Sequence, residues 1–155
     1  MWIPWEEDDP VLWHYPGRKS VGYFGAVRLR DGKGLFEPEF EKFDGNTFFA
    51  FMRKLQAVSR TEGDRQVVAI TDNAKYHHAK MHASWREEKS PGFVLDFLPP
   101  YSPELNPVER VWKRLRRKCL HNVYFAKLTQ LLQTVADQFE KWSEPNEELT
   151  QLCRI

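Results

Sequence analysis

Cysteine is nearly missing from this 155-residue sequence, which holds only Cys119 and Cys153. Two such widely separated residues cannot build a disulfide framework or a zinc site, and they read as free thiols in a reducing compartment. An excess of one charge is also missing, with 23 Lys and Arg against 22 Asp and Glu. Net charge therefore carries no information about a nucleic-acid partner, and only a local concentration of cations can. No apolar run approaches the ~20 residues that span a bilayer. The opening "MWIPWEEDDP" has no basic segment leading into an apolar one, so no signal peptide or membrane partner is expected, and the expected compartment is the cytoplasm. Internal repeats, low-complexity linkers and a second domain are absent as well, which leaves one domain long enough to bury a core.

What is present reads as a folded mixed structure: 41% of residues are hydrophobic and 14% aromatic, a composition that does not suit disorder. "VGYFGAVRLR" (21–30) is rich in β-branched and aromatic residues and predicts a strand. "DGKG" at 31–34 supplies a turn, and "LFEPEF" a short return strand that Pro38 places at an edge or ends early. Phe48, Phe51, Met52, Leu55 and Val58 recur at helical spacing behind Asp44 or Asn46 as N-cap. "RQVVAIT" (65–71) is a continuous apolar run, the pattern of a strand buried on both faces. A helix over 77–89, a strand over 92–99, a helix from Pro107 to about Cys119 and an amphipathic helix over 124–142 follow. This order, β, β, α, β, α, β, α, α, implies an α/β layer structure with buried parallel strands and a hairpin at one side. The domain is expected over 1–142, with 143–155 as a C-terminal tail, either a short helix or frayed. "MWIPWEEDDPVLWHY" shows neither period and reads as a loop entering a strand.

Two acids stand out by position. Asp72 follows directly on the apolar run, and the carboxyl ends of strands are where α/β sheets collect ligands and catalytic groups. The plainer alternative is an Asx-turn or helix cap by Asp72, or by Asn73. Glu109 follows Asn106-Pro107-Val108, a well-formed helix start with Asn as N-cap and Pro at the first helical position. Its plainer alternative is to fold back on the Asn106 amide as half of a capping box. Against that stands the loop ahead of it: Pro99, Pro100, Pro103 and Pro107 each fix φ and restrict the preceding residue, so little entropy is lost on ordering. Such bracing suits a metal ligand, which must be held to tight tolerance. A hard cation such as Mg²⁺ takes carboxylate oxygens and keeps several waters. A pair of such ions about 4 Å apart can activate a water or 3′-hydroxyl against a phosphodiester. Such a site takes three or more carboxylates, of which Asp72 and Glu109 would be two.

Behind Glu109 comes a basic run, Arg110, Lys113, Arg114, Arg116, Arg117 and Lys118, with Val108, Val111, Trp112 and Leu115 on the opposite, packing side. This is either a solvated face or a seat for a DNA backbone, since phosphate contacts supply most sequence-independent affinity. His78 and His82 stand four apart on the expected helix and could share zinc. No third ligand has telling spacing, and surface or substrate-contacting roles are preferred.

At "TDNAKYHHAK" and "LPPYSPELNPVERVWKRLRR" the chain resembles the second and third acidic motifs of DDE transposases of the mariner superfamily, in their bacterial insertion-sequence branch. "PGRKSVGYFGAVRLRDGKGLF" is similar to the strand-turn-strand region that precedes those motifs, and the likeness covers about residues 2–140. The resemblance implies a ribonuclease-H-like fold, a mixed central sheet flanked by helices. It implies two Mg²⁺ or Mn²⁺ ions and DNA as substrate, both transposon ends and target. The reaction would be hydrolytic nicking at those ends, then attack of the freed 3′-hydroxyl on target DNA, commonly at TA. By position Asp72 would be the second catalytic acid and Glu109 the third, while Asn73, His77, Asn106 and Pro107 match residues that accompany the motifs.

One departure bears on activity. The family's first Asp lies on the first strand of the fold, upstream of the Trp-Ile-Pro-like segment that here opens the chain. The expectation is a C-terminal part of a catalytic domain without its first strand, its first acid or its DNA-binding N-terminal region, and inactive alone. Glu6, Glu7, Asp8 and Asp9 lie in a loop-like stretch and are not expected to substitute. The rival readings are a non-catalytic DNA-binding or assembly protein that modulates full-length transposase, as homodimer or mixed complex, and an inert remnant.

Overall fold

A computed structural model describes residues 21–59 and 66–154. Strands β1 (Gly22–Val27) and β2 (Gly34–Glu39) form an antiparallel hairpin, and helix α1 (Gly45–Ser59) follows. Strand β3 (Val67–Thr71) pairs in parallel with β4 (Phe93–Phe97), and α2 (Ala83–Lys89) lies between them in sequence. Helices α3 (Val108–Leu115), α4 (Leu128–Trp142) and α5 (Glu147–Leu152) complete the chain. The mixed α/β class expected from the alternation of periods is the one observed, and the element order agrees apart from α5. No described helix is long and apolar enough to cross a membrane.

Local chemistry accounts for the boundaries. The Asp44 carboxylate accepts from the Asn46 and Thr47 amides at 2.8 and 3.1 Å, so Asp44 rather than Asn46 caps α1. Pro38 is tolerated because β2 is paired on one side only among the described residues. Gly32, at φ 73° in the hairpin turn, has no room for a Cβ, which would meet the Asn146 carbonyl and the Thr150 amide. Gly25 lies beneath the Trp112 ring, which a side chain there would displace.

The core has two parts. Phe24 and Phe93 join Phe48, Phe51 and Met52 of α1 in one. The other gathers Val111 and Leu115 of α3, Val135, Phe139 and Trp142 of α4, and Leu149 of α5 with Cys153. Phe36 of β2 stacks on Phe139 at 4.2 Å and Tyr23 of β1 meets Phe139 edge-on at 5.0 Å, so the hairpin has α1 on one face and α3–α4 on the other. Cys119 and Cys153 are free and buried, and burial pushes both thiols up, away from the reactive thiolate.

Three expectations need correction. The helix over 77–89 is two short 3₁₀ turns, Lys75–His78 and Lys80–His82, followed by α2 from Ala83. Ala79 interrupts them in an extended conformation (ψ 132°), so His78 and His82 do not share a helical face. Strand β3 is not buried on both faces: Val68 and Ile70 are 49% and 48% exposed, because α1 covers only the side carrying Val67 and Ala69. The helix from Pro107 keeps α geometry only to Leu115 and closes in a wider π turn over Arg116–Leu120, where the His121 amide reaches back to the Arg116 carbonyl at 2.9 Å.

Candidate functional site

Asp72 leaves the carboxyl end of β3 and tightens at once into an Asx-turn, its Oδ1 accepting from the Ala74 amide at 3.0 Å. Buried His77 brings Nδ1 within 2.9 Å of both the Asp72 carbonyl and Oδ1, and within 3.1 Å of Thr71 Oγ1. Burial pulls the imidazole below its usual range against the opposing pull of Asp72, so His77 is neutral near pH 7. Facing a carbonyl acceptor, Nδ1 carries the hydrogen and donates it. The turn and the histidine thus hold one oxygen of Asp72, while Oδ2 has no hydrogen-bond partner among the described residues. The Asx-turn reading and the site reading use different oxygens of one carboxylate.

Asn73 ties this turn to the far side of the site. Its amide nitrogen donates to the Leu98 carbonyl just past β4, its side-chain oxygen meets His78 Nε2 at 3.0 Å, and the Leu98 amide donates to the Thr71 carbonyl at 2.9 Å. The proline loop starts at this knot. It passes Tyr101, fully exposed at φ 58°, and a 3₁₀ turn over Pro103–Leu105 before entering α3.

At the α3 entrance the Val108 amide donates to Asn106 Oδ1 at 3.3 Å, and the Glu109 and Arg110 amides donate to the Asn106 and Pro107 carbonyls. The Asn106 amide itself donates to the Pro103 carbonyl at 3.0 Å. It is therefore unavailable to Glu109, and the capping-box reading fails. The Glu109 side chain is exposed and makes no hydrogen bond or ion pair among the described residues. Asp72 and Glu109 both line a single cavity of about 900 Å³ that runs between β1 and β3 beneath the start of α3. Their free oxygens suit a hard cation in kind. In number they fall short, since no cluster of three His, Cys, Asp or Glu side chains able to hold a metal occurs among the described residues. Glu6, Glu7, Asp8 and Asp9 lie outside those residues.

The basic run divides. Arg110 Nη1 donates to the Leu152 and Arg154 carbonyls at 3.1 and 3.0 Å. Arg114 Nε and Lys118 Nζ donate to opposite oxygens of Glu148 at 2.6 and 2.8 Å, and Trp142 Nε1 adds a third bond at 3.0 Å. Burial pushes the Glu148 carboxyl up, but these three donors together outweigh it and hold it at about 2. Lys113, Arg116 and Arg117 are exposed and carry no ion pair among the described residues. His82, expected either at the surface or in contact with substrate, is buried at 2%, with Nε2 at 3.3 Å from the Tyr76 carbonyl; burial lowers it too. Sequence reasoning missed Thr71 and Glu148. The tail's acids gave no sign of which would face α3, although Asn146, whose side chain accepts from the Leu149 amide at 2.8 Å, is a readable helix cap.

Residues 2–132 match the DDE superfamily endonuclease family, and the chain belongs to it. It is 32% identical over 125 residues to the insertion element IS630 uncharacterized 39 kDa protein of Shigella sonnei, covering 77% of this chain. The chain spans about a third of that relative's length, 34%. It is also 36% identical over 105 residues to the uncharacterized protein y4pE/y4sA of Sinorhizobium fredii (strain NBRC 101917 / NGR234), covering 66% of this chain and 70% of that one.

Proposed function

We propose that this chain is the C-terminal part of a transposase catalytic domain of the mariner superfamily, insertion-sequence branch, with a ribonuclease-H-like architecture over 1–142. Its substrate is DNA and its cofactor is Mg²⁺ or Mn²⁺. The observation that carries this reading is that Asp72 and Glu109, from two rigid elements, open on one cavity and keep carboxylate oxygens that nothing among the described residues uses. Asp72 Oδ2 and the Glu109 carboxylate would hold the metal, which when bound supplies Lewis-acid chemistry at a phosphodiester. The chain's own residues prepare that site. His77 and the Asx-turn fix the rotamer of Asp72, Asn73 couples its loop to the strand end that launches the proline loop, and Asn106 with Pro107 starts the helix that aims Glu109. A third carboxylate has to come from outside the described residues, and without it the polypeptide binds metal weakly and does not cut.

The test has two arms. Mn²⁺ titration followed by electron paramagnetic resonance should show weak binding that falls further in Asp72→Ala and in Glu109→Gln, with folding intact. A nicking assay on a supercoiled plasmid with Mg²⁺ should give no cleavage by this polypeptide. Robust cleavage that disappears in Asp72→Ala would overturn the incomplete-site reading, and Mn²⁺ binding indifferent to both variants would overturn the metal reading itself.

A second reading is favoured by Lys113, Arg116 and Arg117, exposed and without an ion pair among the described residues: a non-catalytic protein that binds DNA or joins full-length transposase. It requires salt-dependent DNA affinity unaffected by Glu109→Gln, and recovery of intact transposase in a pull-down.

A further inference from the structure

The connection that follows the basic helix sets cations beside apolar groups that have no partner among the described residues. From Arg110 to Ala136 the sequence holds no Asp or Glu. The π turn over Arg116–Leu120 closes with the His121 amide on the Arg116 carbonyl at 2.9 Å. Asn122 then turns the chain out of the helix at φ 58°, a left-handed conformation that Asn tolerates well. Val123 and Tyr124 follow at 50% and 53% exposure, and the whole connection over 121–127 is exposed apart from Phe125. Tyr23 and Tyr76 pack their rings on Phe139 and Phe48, whereas Tyr124 makes no ring contact among the described residues. No acid of α4 or α5 pairs with Arg116 or Arg117 among those residues, and Glu148 is taken by Arg114 and Lys118.

We infer that this connection is a stacking site for an unpaired nucleobase, with Tyr124 as the platform and Arg116 and Arg117 holding the flanking phosphates. The inference rests on the DNA reading proposed above and deepens it by naming the form of DNA: a strand with at least one base out of the duplex. A cationic run with no acid in it suits a polyanion, because backbone phosphates supply affinity that does not depend on sequence. A protein partner carries both signs, and its own cations would be set against the same run. The ring decides between paired and unpaired DNA. In an intact duplex each base face is covered by the next pair, so a projecting Tyr has nothing to stack on. A base that has left the stack offers its face, and stacking on it tolerates any sequence. Tyr suits this place because its ring is apolar while its hydroxyl stays in water. The nicking chemistry proposed above produces strand ends, where a base leaves the stack at least cost. The role is one of binding: Glu109 lies in the first turn of α3, and Tyr124 lies beyond the far end of the π turn that closes it.

The full chain is titrated in EDTA against an oligothymidine carrying one fluorescent adenine analogue, and separately against a relaxed closed-circular plasmid. Binding of the oligonucleotide should quench the analogue as the ring stacks on it. Tyr124→Ala should weaken oligonucleotide affinity at least about fivefold and abolish the quench. Tyr124→Phe keeps the platform and should match the parent in both. Plasmid affinity and melting temperature should be unchanged in either variant, because the ring is exposed and packs on no other ring among the described residues. Arg116→Gln combined with Arg117→Gln should weaken binding of both forms of DNA. Equal affinity and quench in Tyr124→Ala and the parent overturns the inference and leaves the DNA reading standing. A plasmid affinity that falls as far as that of the oligonucleotide also overturns it, since the ring then serves the duplex. Binding of neither form overturns the DNA reading and this inference with it. A dimer in sedimentation that Tyr124→Ala dissociates puts a second copy of the chain on the ring and overturns the inference as well.

Discussion

Arg110, Arg114 and Lys118 recur every fourth residue and all three reach the C-terminal helix, whereas Lys113, Arg116 and Arg117 beside them reach nothing among the described residues. The residue types are the same, so the difference lies in what packs opposite. One stripe meets the carboxylate of Glu148 and the carbonyls of Leu152 and Arg154; the other meets solvent. A run of six cations is therefore two devices. The first closes the fold, and the second is open to a polyanion.

The sharpest way to break the closed side is Leu149→Ala. This wholly buried side chain anchors α5 in the core, and its truncation should cost about 3 kcal/mol, read by urea denaturation. Loosening α5 should also free Arg114 and Lys118, so DNA affinity should hold or rise while stability falls.

The pH dependence of stability gives a comparable effect. The Glu148 carboxyl lies at about 2 in the folded chain against 4.5 as a free group, so the charged form is favoured by folding. Its contribution is complete above about pH 4.5 and is lost as pH falls from there toward 2, a change on the order of 3 kcal/mol. Acid titration of the melting temperature should show this slope, and Glu148→Gln should flatten it.

On the open side, Lys113→Gln, Arg116→Gln and Arg117→Gln combined should leave stability within about 0.5 kcal/mol of the parent. The same variant should weaken DNA binding about tenfold or more and reduce the slope of log K against log salt by up to about 2.7, measured by filter binding over a salt series. Arg114→Gln should do the reverse, lowering stability more than affinity. If the two variants behave alike, the division of the helix is wrong. The smallest effect is expected for Glu109→Gln: with no internal partner to lose, its melting temperature should stay within about a degree of the parent.

Much of the site was legible in the chain itself. A continuous apolar run ending in Asp72, and prolines leading into Asn106-Pro107, are local signals, because φ restriction and cap chemistry act within a few residues. Both acids lie where those signals put them, at a strand's end and in a helix's first turn. Other features depend on distant partners. The 3₁₀ break at Ala79 follows from seating His77 and His82 in the interior, which periodicity does not encode. The exposure of Val68 and Ile70 depends on which layer covers β3, and an apolar run reads the same with one cover or two. Glu148 was lost among the acids of the tail because its cationic partners, Arg114 and Lys118, lie 34 and 30 positions earlier.

By itself the sequence determined the α/β class and the positions of the two candidate acids on the elements that carry them, since period, proline and capping are short-range forces. Tertiary structure decided the rest. It released Glu109 from its cap by spending the Asn106 amide on Pro103, and turned half of a basic helix inward to hold α5. Each of these is set by which groups meet across the fold, and hydrogen bonds and burial at long range have no signature in any local stretch of residues.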